Sequence, residues 1–173
     1  MALLKVLLFP DPRLRTVAEP VTQFDDSLKQ ITNDMLETMY EGSGIGLAAT
    51  QVNVHKRIIV IDISEDKDNP LILINPKLKK IVDSEKVSHS EGCLSVPGFY
   101  EELSRPRSVE IAAFNLEGEE MNIITDDLLS VVIQHEMDHL DGKMMVDFIS
   151  NIKREMIRKK LNKAKGCLLY TSD

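Results

Sequence analysis

The stretch TDDLLSVVIQHEMDHLDGK, residues 125–143, decides the fold because it predicts a single helix with apolar residues on nearly every side. Thr125 is the expected N-cap, the two aspartates that follow suit the first turn, and Gly142 fits the C-terminal cap. The same predicted helix contains two histidines, His135 and His139. We therefore predict a buried central helix around which the rest of the chain packs.

Patterns on both sides of this helix predict the remaining elements. Residues 25–40 carry apolar side chains at helical spacing, with a polar cap before them and Gly42 after them. The glycine-rich stretch GSGIGLAATQ, residues 42–51, is predicted as a loop. A basic segment from residue 151 is predicted as the final helix. Strands are expected at 57–63 and at 71–76, the second closed by Pro76, and a hairpin is expected from 108–115 and 120–125.

These elements predict an α+β fold, with mostly antiparallel strands packed around the central H-E-x-x-H helix and with N-terminal and C-terminal helices. A length of 173 residues suits one domain. We assign residues 1–165 to that domain. Residues 166–173 leave the helical pattern at Gly166 and are predicted as a tail, either a frayed terminus or a remnant that is not native.

The composition is that of an ordinary globular protein, with 43% apolar and 28% charged residues. No window approaches the roughly 18 apolar residues of a membrane span. The short apolar run at the N-terminus is ended by Pro10 and Pro12 and lacks a preceding basic region, which argues against a signal peptide. Two cysteines do not form a disulfide framework. We predict a cytoplasmic protein.

The net charge of −7 argues against a general nucleic-acid binder, and in particular against a DNA-binding protein. Residues 151–165 nevertheless hold seven Lys or Arg residues and one Glu. This charge has two interpretations. The segment is either a solvated helix face or a contact for an anionic partner.

The strongest chemical signal is the H-E-x-x-H pattern of His135, Glu136 and His139. Residues four apart lie on one face of a helix, so both imidazoles can bind one metal ion, with Glu136 in reach of a metal-bound water. The alternative is a pair of neutral core histidines. Burial of two histidines and a glutamate without a partner is costly, and a metal removes that cost.

A third ligand is needed, because catalytic sites of this kind use three protein ligands and leave one position open for water. No histidine follows His139. Cys93, in EGCLS at 91–95, is the best candidate because a thiolate binds soft and borderline metals tightly. As a lone residue Cys93 could also be a buried apolar side chain, half of a disulfide or a nucleophile. The other candidate ligands are His55, His89, Asp141, Asp147 and Glu155.

The stretch GIGLAATQ, residues 44–51, contains the G-x-G-x-x-A pattern of some dinucleotide-binding turns. That pattern requires a strand before it and a helix after it, whereas here a helix precedes and strands follow. We therefore interpret the glycines as sites where the backbone passes close to a ligand. Gln51 then offers an amide donor.

Three motifs in this order resemble the peptide deformylase family. They are GIGLAATQ at 44–51, EGCLS at 91–95 and QHEMDH at 134–139. The resemblance extends over the N-terminal helix, RIIVIDI, INP and the RP pair at 105–106, and so covers residues 1 to about 165. It implies a hydrolase that removes the formyl group from N-formylmethionine of newly synthesised proteins and releases formate.

The resemblance also implies the roles of the site residues. Cys93, His135 and His139 would hold one divalent metal ion per chain, with iron(II) as the native ion and zinc, nickel or cobalt able to replace it. Glu136 would be the acid–base residue, while Gln51 and the backbone N–H of Leu94 would bind the formyl oxygen. The residues implied on the substrate side are Ile45, Gly46, Glu91, Leu128, Val131 and Val132.

The partners implied are N-formylmethionyl nascent peptides and, through the basic segment 151–165, the ribosome; neither a membrane nor DNA is expected. Bacterial, organellar and viral origins all stay open. Three other functions also remain open at this point. They are a zinc peptidase of another H-E-x-x-H family, an inactive metal-binding homologue, and an enzyme with Cys93 as nucleophile.

Overall fold

The computed structural model describes residues 2–171, with side chains as far as Ala164. Within that range the chain forms one five-stranded antiparallel sheet and three α-helices, which confirms the predicted α+β class. The helices are α1 (Asp26–Glu41), α2 (Asp127–Leu140) and α3 (Asn151–Thr171). The strands, each paired with the next along the chain, are β1 (Gly46–Ala48), β2 (Ile58–Ile61), β3 (Leu71–Cys93), β4 (Val96–Phe114) and β5 (Glu120–Asp126).

Strand β2 is covered on both faces of the sheet, and every one of its side chains is buried. Ile58 and Val60 pack with α1, whereas Ile59 and Ile61 pack with α2 on the opposite face of the sheet. Successive side chains of a strand point to opposite faces, so four consecutive β-branched residues suit a strand covered on both sides. Helices α1 and α2 therefore lie on opposite faces of the sheet at this strand.

Helix α1 has the boundaries that its sequence predicts. The side chain of Asp25 accepts a hydrogen bond from the backbone N–H of Leu28, and Gly42 is the C-cap. Its core-facing residues include Met35 and Met39, both fully buried. The acidic cap stabilises the N-terminus of the helix, and the buried apolar stripe packs the helix against the sheet.

The predicted central helix is confirmed as α2, but its start lies one residue later than expected. Asp126, not Thr125, is the N-cap, and its side chain accepts from the N–H of Asp127. Thr125 still belongs to β5, where its hydroxyl donates to the carbonyl of Val109. At the other end Gly142 adopts a φ of +77° directly after the C-cap, Asp141. That backbone conformation favours glycine.

One loop prediction and one strand prediction were wrong. The stretch 42–51, predicted as a loop, contains β1 and most of a short 3-10 helix, Ala49–Val52. Pro76 does not close its strand, since β3 continues to Cys93 and pairs with a much longer β4 than expected. The β2–β3 pairing ends at Ile74, and the β3–β4 register shifts between Ile74 and Lys77. Pro76 therefore lies at an irregularity, where a missing N–H is tolerated.

Helix α3 begins where the basic segment was expected. Its Ile157 and Leu161 pack into a core cluster with the chain around Met145, so the helix is anchored to the domain. The backbone of α3 continues past Gly166 to Thr171. The predicted tail, residues 166–173 with Cys167, lies outside the part of the chain whose side chains are described. No helix among the described residues is long and apolar enough to cross a membrane.

We expect Gly142→Ala to destabilise the protein by about 3 kcal/mol, because the position combines a left-handed backbone with a steric clash. A Cβ there would lie 2.5 Å from the carbonyl oxygen of Arg15. Urea unfolding measures the change. The matched control is Gly98→Ala, whose φ of +84° is similar but whose Cβ would meet nothing within 4 Å. Equal losses in the two variants would contradict the clash.

Candidate metal centre

A cleft of about 430 Å³ opens between β1, the β3–β4 turn and α2. Most of the predicted site residues line it. Those that do are Ile45, Gly46, Gln51, Glu91, Cys93, Leu94, Leu128, Val131, Val132, His135 and Glu136. The remaining one, His139, is fully buried one helical turn beyond His135. Phe99 and Tyr100, which the sequence analysis did not assign, also line the cleft.

Cys93 is presented by a tight turn. It ends β3 and pairs with Val96, so Leu94 and Ser95 form a two-residue turn. The side chain of Leu94 packs against the loop before β1, so closely that a Cβ on Gly42 or Gly44 would lie 2.9–3.0 Å from its methyl groups. The side chain of Leu94 thus joins the turn that carries Cys93 to the loop on the other side of the cleft.

Helix α2 brings both histidines to this turn. The ligand atoms of Cys93, His135 and His139 all lie within 4.8 Å of one another. The Cys93 sulfur is 3.4 Å from Nε2 of His139. A thiolate and two imidazoles are the donors that zinc, iron and similar divalent ions accept. The three residues therefore form a metal-binding group that joins the β3–β4 turn to α2.

The protonation of the two histidines suits a metal ion. Nδ1 of His135 lies 2.8 Å from a carboxylate oxygen of Glu91, so Nδ1 donates to that oxygen and Nε2 is left for an ion. Burial alone would lower the pKa of His135, but the charge of Glu136, with Cys93 and Glu91, raises that pKa well above its ordinary value. Burial lowers the pKa of His139 well below its ordinary value. An ion at Nε2 of His135 would replace one proton.

Two buried polar atoms at this group have no hydrogen-bond partner among the residues whose side chains are described. They are Nδ1 of His139 and Oε1 of Glu136. Burial raises the pKa of Glu136 to about 7 in the absence of an ion. Because an unpartnered buried carboxylate is unfavourable, its presence beside three metal-binding groups fits a site that holds a cation and a water molecule. The residues present therefore fit the metal ion that the sequence implies.

Gly46 leaves room for the Glu136 carboxylate. A Cβ at position 46 would lie 2.6 Å from Oε2 of Glu136 and 3.0 Å from a methyl group of Val132. Gly46 also pairs with Ile61 across β1 and β2, so its backbone cannot retreat without disturbing the sheet. The glycine of this motif is thus required by a close approach of α2 to β1.

Glu91 lies behind the histidines. Its carboxylate accepts two hydrogen bonds from Arg105, at 2.6 and 2.9 Å, as well as the one from His135. Arg105 also donates to Asp138 at 2.9 Å. Burial alone would raise the pKa of Glu91, but the hydrogen bonds from His135 and Arg105 lower that pKa. The family resemblance implies a substrate-side role for Glu91, whereas its carboxylate contacts Arg105 and His135.

The sequence alone indicates no role for Arg105, Asp138 or Ser95. Arg105 enters the motifs only as part of the RP pair, and the other two only as members of their motifs.

The alternative metal ligands form ion pairs elsewhere. Asp141 pairs with Arg57, Asp147 with Arg15 and Glu155 with Arg158. His55 contacts Asn53, and His89 lines the cleft but is not part of the metal-binding group.

Comparisons with known proteins agree on one family. The sequence model described as polypeptide deformylase matches residues 3–155. The peptide deformylase of Teredinibacter turnerae is 60% identical over 163 residues, which cover 94% of this chain and 96% of that protein.

Solved structures give the same result. The crystal structure of a peptide deformylase from Legionella pneumophila matches with a TM-score of 0.90 and 42% identity, over 97% of this chain and 98% of that one. The peptide deformylase of Ehrlichia chaffeensis in complex with actinonin matches with a TM-score of 0.90 and 38% identity, over 95% of this chain and 98% of that one.

We expect metal-depleted protein to take up one equivalent of Zn²⁺ or Co²⁺, and Cys93→Ser to bind either ion at least about 100-fold more weakly, because a hydroxyl is a poorer ligand than a thiolate. Equilibrium dialysis followed by elemental analysis measures both. The matched control, Cys167→Ser, should bind like the unchanged protein. Unchanged affinity in Cys93→Ser would remove Cys93 from the ligand set.

Proposed function

Because the chain belongs to the polypeptide deformylase family, and so removes the N-formyl group from nascent peptides, we propose that it does so with one divalent metal ion held by Cys93, His135 and His139. One observation carries the proposal. The three ligand atoms converge beside the carboxylate of Glu136, which lines the cleft: its Oε2 lies 4.0 Å from Nε2 of His135, and its Oε1 has no hydrogen-bond partner among the described residues. The same family membership sets aside a peptidase of another H-E-x-x-H family.

The metal-binding group accepts several divalent ions and does not distinguish among them. One thiolate and two imidazoles accept iron(II), zinc, nickel and cobalt. We propose iron(II) as the native ion, as the resemblance to the family implies. The chemistry that a divalent ion supplies at such a site is activation of water near neutral pH and polarisation of a carbonyl oxygen.

Glu136 is the acid and base of the proposed reaction. It accepts a proton from the attacking water and then donates a proton to the amine that leaves. Its buried carboxylate has an oxygen free for this purpose, and its other oxygen lies 4.0 Å from Nε2 of His135. A carboxylate with a pKa raised by burial is a stronger base than an exposed one.

The remaining roles concern the formyl oxygen and the methionine. The side-chain amide of Gln51 and the backbone N–H of Leu94 donate to the oxygen as it becomes negative. Apolar side chains along the cleft receive the methionine side chain, with Val131 and Val132 buried on α2 and Ile45 and Leu128 more exposed. Gly46 keeps the floor of the cleft open, and Glu91 orients His135 through its hydrogen bond.

Glu136→Gln should retain one equivalent of metal and lose about 10²- to 10⁴-fold in formate release from a formyl-methionyl peptide, the usual contribution of acid–base catalysis. Release is measured under anaerobic conditions, so that oxidation of iron(II) or of the thiolate does not interfere. Asp141→Asn is the control, because this carboxylate lies five residues further on at the end of α2 and is half exposed.

Two results would contradict the proposal. If Glu136→Gln loses its metal, the residue holds the site together instead of moving protons. If the unchanged, fully loaded protein releases no formate, the chain is an inactive metal-binding relative.

We also propose that the enzyme acts in the cytoplasm and contacts the ribosome through residues 151–165. Lys159 and Lys163 are exposed on one side of α3, opposite the buried Ile157 and Leu161. An exposed basic helix face that is anchored by apolar residues suits a surface rich in phosphate.

Replacing Lys159 and Lys163 by Glu should weaken sedimentation with ribosomes by about tenfold near 0.1 M salt, and should make the remaining binding less sensitive to salt. Deletion of α3 is a poorer test, because it also removes Ile157 and Leu161 from the core. The control replaces Lys77 and Lys80 of β3 by Glu, which changes the net charge equally. Equal binding by both double variants would contradict a contact at α3.

A further inference from the structure

The carboxamide of Gln51 has a fixed orientation. Its oxygen accepts a hydrogen bond from the backbone N–H of Ala48 at 2.9 Å, and its nitrogen lies 3.0 Å from the Ser95 hydroxyl and 3.4 Å from the Cys93 sulfur. A backbone N–H can only donate, so the oxygen must face Ala48 and the nitrogen must face the other two groups. The side chain is 1% exposed, so water does not compete for these bonds.

The two hydrogens of this nitrogen therefore have different acceptors. Ser95 accepts one of them at an ordinary hydrogen-bond distance. The other is directed towards the Cys93 sulfur, on the side of Gln51 that lines the cleft. The proposed oxyanion donor of Gln51 is this second hydrogen, because the first is already committed to Ser95.

Ser95 is itself held rigidly. It is fully buried in the turn after Cys93, and its backbone carbonyl accepts a hydrogen bond from the N–H of Phe9 at 2.8 Å. That backbone bond does not involve the hydroxyl, so removal of the hydroxyl leaves the turn anchored. The role of the hydroxyl can thus be separated from the role of the backbone.

We infer that Ser95 is a positioning residue, whose hydroxyl holds one hydrogen of the Gln51 amide so that the other points at the Cys93 sulfur and the substrate oxygen. The inference rests on the proposed function, since it assigns that second hydrogen to the formyl oxygen. Without the hydroxyl, the amide keeps the Ala48 N–H and the longer contact to the Cys93 sulfur, so it can turn about the Ala48 hydrogen bond and its donor is less well preorganised.

The test is a double-mutant cycle with Ser95→Ala and Gln51→Ala. In the otherwise unchanged enzyme, Ser95→Ala should lower kcat about tenfold with little change in KM, which corresponds to the loss of one hydrogen bond. In the Gln51→Ala background the same change should alter kcat less than about twofold, because Ser95 acts only through Gln51. A loss of equal size in both backgrounds, or no loss in the unchanged enzyme, overturns the inference.

A second readout does not depend on turnover. In the zinc-loaded protein, the side-chain amide protons of Gln51, identified by their absence in Gln51→Ala, should exchange with solvent about five- to tenfold faster after Ser95→Ala. The matched control is Ser130→Ala, another fully buried serine, whose hydroxyl donates to the carbonyl of Pro106. It should leave both kcat and the Gln51 amide signals unchanged.

The two readouts separate the two proposals. If the unchanged enzyme releases no formate, the proposed function fails while amide exchange still reports whether Ser95 holds Gln51. Unchanged exchange in Ser95→Ala overturns the positioning role regardless of activity.

Discussion

The buried carboxylate of Glu91 connects the two parts of the protein that form the site. It lies on β3, is held by Arg105 of β4, and accepts the Nδ1 proton of His135 on α2. Arg105 continues the connection to Asp138, one turn along the same helix. Removal of one partner from such a buried network leaves a charge without compensation and costs about 3–5 kcal/mol. The orientation of the His135 ring, and with it the direction of Nε2, therefore depends on Arg105, which is not one of the three metal-binding residues.

The sequence was most informative where local pattern and chemistry coincide. Helix α2 could be predicted because capping residues, helical spacing and the H-E-x-x-H motif all point to the same element, and its start was misplaced by only one residue. Cys93 could be proposed as the third ligand because no histidine follows His139 and a thiolate is a good donor for such metals. The family resemblance supplied the remaining roles of the site residues, and the geometry brings those residues to one cleft.

The sequence was least informative where a long-range contact overrides local preference. Glycines and alanines at 44–49 predict a loop, yet Gly46 lies in a strand because it pairs with Ile61 of β2. Position 46 requires glycine because α2 passes too close to allow a side chain there. Pro76 predicts the end of a strand, yet it lies just beyond the last pair with β2, where β3 continues with β4 as its partner. The contact of Glu91 with Arg105 joins residues that are not opposite each other on the two strands, so no strand pattern in the sequence indicates it.

The proposed ligands come from two distant parts of the chain, since His139 lies 46 positions after Cys93. An ion shared by them therefore acts as a reversible cross-link as well as a reagent. Closing a chain loop of that length lowers the entropy of the unfolded state by an amount equivalent to roughly 4 kcal/mol of stability, as a disulfide of similar span does in the chain-entropy model. Metal supply thus affects the lifetime of the folded enzyme together with its chemistry, and the hairpin turn and α2 separate most readily in the protein that has lost its ion.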